Sequence, residues 1–437
     1  MKKEINNKRI IRGWSFYDWA NSVYPLVINS TIFPIYYALI TKKGTNDIVH
    51  FMGMQFKNTA LYTYALSISY LFICFLSPVL SALADYSGNK KSFMKFFCYL
   101  GSISCSMLYF FDAEHLWVGI LFFMLATIGF SGSIVFYNAY LPEIASPDRQ
   151  DSVSAQGFAM GYIGSSLLLI FNLSMVMKPS WYGIQDSGMA TKLCFVLVGI
   201  WWAGFAQVTF HRLPHRHQQK NRESDFIRKG YVELKKVWKE LETQGALKIF
   251  LFSFFFYSMG VQTVMNAATL FGSKELKLES QQLIVTILII QFVAIGGAYF
   301  FSWLSRIFGN KQALVFAILI WICICFAAYF VYTANGFYLL ALAVGIVMGG
   351  IQSLSRSTFS KMLPQTQDHA SYFSFFDVCE KMGIVLGTAS FGMIEELSGS
   401  MRNSVITLAV FFIIGLVILL FVKTKNKIIQ VKKFEAS

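Results

Sequence analysis

Residues 13–34, GWSFYDWANSVYPLVINSTIFP, decide how the rest of the chain is read. The stretch is long and apolar enough to cross a bilayer, yet it carries an acid, Asp18, inside the predicted span. Five residues recur at the spacing i, i+3, i+4, i+7 and i+11, which puts them on one helical face: Asp18, Asn21, Ser22, Pro25 and Asn29. Because a charged group facing lipid costs about 3 kcal/mol, this face must line a protein interior or a water-filled path. We therefore expect it to line a transport pathway.

Composition and repeated apolar runs predict a polytopic helical membrane protein. Hydrophobic residues make up 55% of the chain and charged residues 14%, against about 25% charged in soluble domains. Apolar windows bounded by polar turns give twelve predicted spans, at approximately 14–41, 59–84, 93–111, 116–140, 152–177, 189–210, 246–272, 281–304, 312–333, 337–361, 370–394 and 403–422. The predicted fold class is an all-α membrane protein with twelve transmembrane helices.

Three short matches between the two halves indicate an internal repeat. Gly88-Asn89-Lys90 recurs as Gly309-Asn310-Lys311, Leu141-Pro142 as Leu363-Pro364, and Met160-Gly161 as Met382-Gly383, at offsets of 221, 222 and 222 positions. One shared register predicts two six-helix pseudo-repeats with the path between them. We divide the chain into an N-terminal six-helix bundle (1–210), a cytoplasmic linker with an amphipathic helix (211–245), and a C-terminal six-helix bundle with a basic tail (246–437).

The placement of basic residues predicts the orientation in the membrane. The formal net charge is +14, and lysines and arginines cluster at the N-terminus, near Lys90, in the linker and in the tail. These clusters occupy every second loop, as the positive-inside rule requires, so both termini are expected in the cytoplasm. We expect a multi-pass protein of the plasma (inner) membrane that contacts lipids and binds no nucleic acid.

The linker contains a predicted amphipathic helix. Apolar residues recur there at helical spacing, namely Tyr231, Leu234, Val237, Trp238 and Leu241, and lysines occupy the rest of the helix surface. Such a pattern fits a helix lying on an anionic leaflet, and it equally fits a solvated linker helix with no membrane role.

The loop after the second predicted span, SALADYSGNKK at residues 81–91, resembles the cytoplasmic-loop signature of the major facilitator superfamily. The matching residues are Asp85, Gly88, Lys90 and Lys91. Ser81, Tyr86 and Asn89 depart from the pattern, which leaves the basic partner of the acid open. The resemblance implies that this loop is a cytoplasmic gate, in which the acid caps or pairs with a neighbouring helix.

A narrower resemblance covers more of the chain. YDWANS at 17–22, YNAYLPE at 137–143, GGIQSLSRS at 349–357 and Lys381 resemble the branch of the superfamily that includes autophagy-related vacuolar amino-acid effluxers. The resemblance implies a transporter fold with the path between its halves. It implies amino acids as cargo only by analogy.

Further polar residues fall where a path would run. The seventh span carries Gln262 and Asn266, the tenth carries Gln352 and Arg356, and the eleventh carries Glu380 and Lys381 beside Asp377. Together with Asp18, Asn21 and Asn29 they form the predicted substrate and proton pathway. Adjacent helical residues point about 100° apart, so Glu380 and Lys381 are expected to have different partners. These groups bind substrate or protons, or they form ion pairs that hold the halves together.

Asp18 is our first-choice titratable residue, although its distance from Arg12 also suits a gate. The function we infer is a secondary active transporter of a small polar solute, proton coupled and acting by alternating access. We expect no cofactor, no metal site, no catalytic residue and a monomer. A lipid or lysolipid flippase of the same fold is one alternative. A membrane-embedded transferase is another, against which stand the absence of G-x-S-x-G and H-E-x-x-H motifs and histidines confined to loops and span ends.

Overall fold

The computed structural model describes residues 5–41, 48–214 and 226–423. Parts of the predicted basic clusters, at 1–4, 215–225 and 424–437, lie outside the described residues. The helices are α1 (Lys8–Asn21), α2 (Phe33–Thr41), α3 (Asn58–Ser87), α4 (Lys90–Met107), α5 (Leu116–Asn138), α6 (Leu141–Ile144), α7 (Gln150–Met177), α8 (Ser187–Arg212), α9 (Phe226–Thr243), α10 (Gly245–Lys274), α11 (Ser280–Phe308), α12 (Asn310–Tyr329), α13 (Ala334–Met362), α14 (His369–Ser398) and α15 (Met401–Leu420).

The first span is not one regular α-helix. Between α1 and α2 the chain forms a π-helical segment, Tyr24–Ile32, with Pro25 at its start. A proline has no backbone N–H to donate and its ring clashes with the preceding turn, so an α-helix does not pass through it unchanged. The segment widens the turn in the middle of the membrane, and such π segments occur often at functional sites.

Twelve long helical segments cross the molecule, as the sequence predicted. Within the described residues, eleven of them are long and apolar enough to span a membrane by composition alone. The twelfth, α14, is thirty residues long, and Asp377, Glu380 and Lys381 make its middle polar. Its neighbours bury Asp377 and Lys381, which is the arrangement expected for charged groups at membrane depth.

The twelve long helical segments pack as two groups of six, one before α9 in the chain and one after it. In the first group, α1 packs on α7 and α8, and α4 packs on α5 and α8. In the second, α10 packs on α14 and α15, and α11 packs on α13. Each interior is aromatic; for example, Trp321 stacks on Phe412 at 5.4 Å between ring centroids. The groups meet through α3 against α14, and through α7 against α11 and α13.

The ends of the described chain share one face of the bundle, which we call the terminal side. The Asn6 backbone N–H donates to the carbonyl of Ile144 at the end of α6. Lys311, at the start of α12, donates to the carbonyls of Leu420 and Val422. The opposite face, which we call the outer side, carries a β-hairpin that the sequence analysis missed, β1 (Ile48–Phe51) paired with β2 (Met54–Lys57).

Helix α9 packs on protein through the apolar residues that the sequence singled out. Val237 and Leu241 are buried, whereas Tyr231 and Trp238 stay more than half exposed. The helix packs against α3 of the first group and against α10 and α14 of the second. The hydroxyl of Tyr372 on α14 donates to the Glu240 carboxylate at 3.0 Å. Helix α9 therefore contacts both groups of helices at the terminal side.

Candidate transport pathway

A cavity of about 820 Å³ lies between the two groups of helices. Its lining extends from Asp18 and Arg356 to the outer ends of the helices, where Asn58, Phe337 and Glu395 contribute. All nine predicted pathway residues line it, namely Asp18, Asn21, Asn29, Gln262, Asn266, Gln352, Arg356, Glu380 and Lys381. The polar face of the first span also contributes Ser22 and Pro25, so the π segment does not turn that face away from the cavity.

An ion pair between the two groups of helices closes the cavity toward the terminal side. Arg356 Nη1 on α13 lies 3.2 Å from Asp18 Oδ2 on α1, and both side chains are almost fully buried. The Tyr137 hydroxyl donates to the same carboxylate oxygen at 2.7 Å. The guanidinium also donates to Ser154 Oγ at 2.9 Å and to the Ser154 carbonyl at 2.8 Å. A buried pair tolerates loss of water best when its other polar atoms are hydrogen-bonded, and here Arg356 Nε and Nη2 donate to Ser154 while Asp18 Oδ2 accepts from Tyr137.

Aromatic rings surround the Arg356 guanidinium. Its central carbon lies 4.2 Å from the ring centroid of Phe158 and 4.8 Å from that of Trp14. Trp14 stacks on Tyr137 at 4.4 Å between centroids, and its indole N–H donates to the Tyr137 carbonyl. The flat guanidinium suits such stacking, which a lysine ammonium would not reproduce.

Gly157 on α7 makes room for the ion pair. A Cβ at this position would lie 2.5 Å from Asp18 Oδ2 and 2.9 Å from Arg356 Nη2. Only a residue without a side chain lets α7 come this close to the pair.

A second charged cluster lies on α14 in the wall of the cavity. Lys381 Nζ lies 2.8 Å from Glu380 Oε2 and 3.3 Å from Asp377 Oδ1. The expectation that Glu380 and Lys381 have different partners is wrong, because the long lysine chain bends back to its neighbour. The Glu380 carboxylate also accepts from Gln262 Nε2 on α10 at 2.9 Å. Asp18 and Lys381 each pair within their own cluster.

The predicted gate loop joins the two groups at the terminal side. Gly88 ends α3 with φ 69°, and Asp85 accepts hydrogen bonds from the Ser371 backbone N–H at 2.7 Å and its hydroxyl at 2.9 Å. The acid therefore satisfies free N–H groups at the start of α14, where a helix favours negative charge. Lys90 Nζ lies 3.8 Å from Asp85. We call the Asp85–Ser371 interaction the first terminal contact.

The other residues of this loop bind close by. Lys90 forms a short hydrogen bond with Glu143, whose carboxylate also lies 2.9 Å from His369 Nδ1. Lys91 Nζ donates to the Leu213 carbonyl at the end of α8. Lys90 is thus the basic partner of Asp85 that the sequence left open, and Asp85 shares it with a second acid, Glu143.

A second contact on the terminal side was not predicted from the sequence. Asp151, in the first turn of α7, lies 2.5 Å from Lys361 Nζ on α13. The same carboxylate accepts from Ser305 Oγ on α11 at 2.9 Å and from Asn310 Nδ2 on α12 at 2.7 Å. We call this set the second terminal contact. Asn310 belongs to the repeated Gly-Asn-Lys triplet, which was the available signal.

Other polar residues of the cavity were also not predicted from the sequence. The Tyr162 hydroxyl donates to Gln352 Oε1 across the two groups at 2.7 Å. The Tyr70 ring lies 5.9 Å from Lys381 Nζ. Gln291 on α11 lines the cavity, and within the described residues its Oε1 accepts no hydrogen bond, as is true of Asn29 Oδ1. Single polar residues in apolar runs gave no spacing pattern to find them by.

Twelve helices in two groups of six, with a cavity between them that is lined by buried charged side chains at one end, define a transporter of the major facilitator type. Solved structures show the same fold. The transporter FucP in its outward conformation aligns with a TM-score of 0.70 at 12% identity, over 95% of this chain and 99% of that one. The proton:xylose symporter XylE aligns with a TM-score of 0.73 at 12% identity, over 95% of each chain.

The chain belongs to the family described as vacuole effluxer Atg22 like, whose model matches residues 6–432. The MFS-type transporter YxiO of Bacillus subtilis is 34% identical over 94% of each chain. Autophagy-related protein 22 of Kluyveromyces lactis is 24% identical over 94% of this chain and 92% of its own. The resemblance inferred from the sequence motifs is confirmed, and the chain is a multi-pass integral membrane protein.

Proposed function

We propose that this protein moves a small polar solute through the cavity by alternating access, driven by a proton gradient. The observation that carries the proposal is the cavity itself, closed on the terminal side by hydrogen-bonded contacts between two groups of helices. Breaking those contacts and closing the outer side would expose the same residues to the other face of the membrane. That exchange is the general mechanism of transporters built from repeats.

The charges in the cavity suit a small solute that carries both signs. Arg356 and Lys381 are cations, Asp18 and Glu380 are anions, and all four line the cavity. Asn29 and Gln291 add buried amide oxygens that accept no hydrogen bond within the described residues. A zwitterion could replace the internal partners of these groups with its own. The family description, vacuole effluxer Atg22 like, makes efflux the direction to test. The resemblance of the sequence motifs to amino-acid effluxers makes amino acids the first class to test.

The positive-inside rule supports a cytoplasmic terminal side, because the basic loops belong to that face. With this orientation the structure is outward-facing. We propose that the protein acts as a monomer in the plasma membrane with both termini in the cytoplasm.

The test is uptake into proteoliposomes under an imposed pH gradient, with a labelled mixture of amino acids. Wild type is compared with Asp18→Asn and with Asp112→Asn, which changes an acid in the α4–α5 loop on the outer side whose side chain is 42% exposed. We expect gradient-dependent uptake by wild type and Asp112→Asn, and a loss of at least tenfold in Asp18→Asn. No flux by wild type would contradict amino acids as cargo. Equal flux by all three would make Asp18 structural.

A lipid or lysolipid is the second candidate cargo. The outer part of the cavity is lined mainly by apolar side chains, among them Leu270, Leu283 and Phe391. The same proteoliposomes loaded with a fluorescent lysophospholipid would show faster extraction by albumin than protein-free vesicles if the protein flips it.

A further inference from the structure

Asp377 on α14 is a buried acid that the pathway described above does not use. Its side chain is 2% exposed. Neither carboxylate oxygen accepts a hydrogen bond within the described residues. The nearest charge is Lys381, whose Nζ lies 3.3 Å from Oδ1. A carboxylate in such a place is far costlier to ionise than one in water.

The cluster around Asp377 contains two acids, Asp377 and Glu380, and one base, Lys381. Lys381 is a single cation, and it already forms a 2.8 Å hydrogen bond with Glu380. Glu380 lines the cavity and accepts a further hydrogen bond from Gln262, so its charge is stabilised there. The Asp18–Arg356 pair, by contrast, balances one acid with one base. Asp377 is therefore the acid of the cluster whose negative charge is least stabilised, and it is the one that should bind a proton.

The groups that face Asp377 come from two helices. On its own helix they are Glu380, Lys381 and the thiol of Cys379. From α3 they are the Tyr70 ring, which faces Lys381, and Cys74, whose Sγ lies 4.0 Å from the Val378 carbonyl. Among the described residues, Lys381 and Glu380 are the charged groups that act on Asp377.

The position of Asp377 between two helices gives it alternate access. Helix α3 belongs to the first group and α14 to the second, and their packing is held at the terminal side by Asp85 and Ser371. Glu380, one turn farther from that side, faces the cavity. Separation of α3 and α14 at the terminal side would expose Asp377 there, whereas in this structure its neighbours Lys381 and Glu380 line the cavity.

We infer that Asp377 carries the transported proton. A proton from the outer cavity passes through the Glu380 carboxyl to Asp377 while Lys381 keeps its charge. After the terminal side opens, the Asp377 O–H bond breaks, the proton leaves to water on that side, and the new carboxylate pairs with Lys381. This inference deepens the proposed function and rests on it for the direction of proton movement.

The first test needs no substrate. Infrared difference spectra of the full chain in lipid nanodiscs, recorded across pH, report protonated carboxyl groups. Buried acids such as Asp85 contribute carboxyl bands of their own, so we expect one titrating band of the wild-type spectrum to be missing in Asp377→Asn and present in the matched control Asp18→Asn. In Glu380→Gln one acid remains for one base, so the pH at which this band titrates should change, and this variant decides the matter if Asp377→Asn fails to fold. A carboxyl spectrum that Asp377→Asn leaves unchanged, or loss of the same band in Asp18→Asn, would overturn the inference.

The second test separates this inference from the proposed function. In proteoliposomes with the labelled amino-acid mixture, Asp377→Asn should retain exchange between equal solutions but lose at least tenfold of the accumulation driven by a pH gradient. Accumulation that is unchanged in Asp377→Asn would contradict the inference and leave transport standing. Absence of exchange in wild type would contradict amino acids as cargo, while the infrared result would still decide where the proton binds.

Discussion

The Asp18–Arg356 pair joins α1 to α13 at the floor of the cavity, so the same two side chains are available to gate it and to meet its cargo. Arg356 is held by Ser154 and by aromatic rings as well as by Asp18. Removing the acid therefore leaves the guanidinium in place. Removing the arginine leaves a buried carboxylate with only the Tyr137 hydroxyl.

Asp18→Asn and Arg356→Gln should each destabilise the protein, because breaking a buried pair leaves an uncompensated charge that costs about 3–5 kcal/mol. The double variant Asp18→Asn/Arg356→Gln should cost less than the sum of the two, with a coupling of about 0.5–3 kcal/mol. Thermal unfolding in detergent measures the stability of wild type, the two single variants and the double variant. Additive losses would show that the two side chains do not interact.

Gly157→Ala should weaken the same pair without changing any charge. The added methyl would lie 2.5 Å from Asp18 Oδ2, so the carboxylate or α7 must move. Overpacking of this kind costs about 1–3 kcal/mol. The matched control is Gly296→Ala on α11, where a Cβ would meet nothing within 4 Å. We expect lower thermal stability and lower flux for Gly157→Ala only. Equal behaviour of the two variants would contradict the close approach of α7.

At the scale of elements, the two terminal contacts hold different helix pairs in the same closed arrangement. The first ties α3 to α14 through Asp85, and the second ties α7 to α11, α12 and α13 through Asp151. Since each acid belongs to the first group and its partners to the second, both contacts must break when the terminal side opens.

Asp85→Asn should shift the protein toward the opposite opening. Asparagine keeps an acceptor oxygen but removes the negative charge that a helix N-terminus favours, which costs about 0.3–1 kcal/mol and changes the ratio of the two states by up to about fivefold. Hydrogen–deuterium exchange in nanodiscs should show faster exchange at 369–374 and slower exchange at the outer start of α3. Asp112→Asn, in an exposed loop, should leave both unchanged. Unaltered exchange in Asp85→Asn would exclude the first terminal contact as a determinant of the state.

For the whole molecule, periodicity and apolar runs could predict most of the architecture. The predicted spans match the twelve long helical segments, because backbone groups in a bilayer must be satisfied inside helices. The cavity-facing side of the first span was also predictable, since Asp18, Asn21 and Asn29 share one face. The stretch with Asp377, Glu380 and Lys381 was placed in a span because apolar residues on both sides of it form a window of transmembrane length.

What the sequence could not predict depends on contacts between distant segments. The pairing of Asp18 with Arg356 joins residues 338 positions apart. Asp151 reads as an ordinary acid in the first turn of a helix until α11, α12 and α13 are placed beside it. The sequence of helix α9 fitted a membrane surface as well as a solvated linker, and the packing of its residues Val237 and Leu241 on protein could not be predicted from it. The hairpin after α2 is too short to stand out beside membrane spans.

The central claim is that transport requires the terminal side to open, and a removable cross-link between the groups tests it most directly. Cysteines at Asp151→Cys and Ser305→Cys, in a Cys323→Ser background, would be joined by a short bifunctional methanethiosulfonate reagent. The control joins Tyr99→Cys to Gln207→Cys, which lie in contact within the first group. We predict that only the cross-link between groups abolishes flux in the proteoliposome assay, and that dithiothreitol restores it. Undiminished flux with the groups cross-linked would contradict alternating access through this cavity.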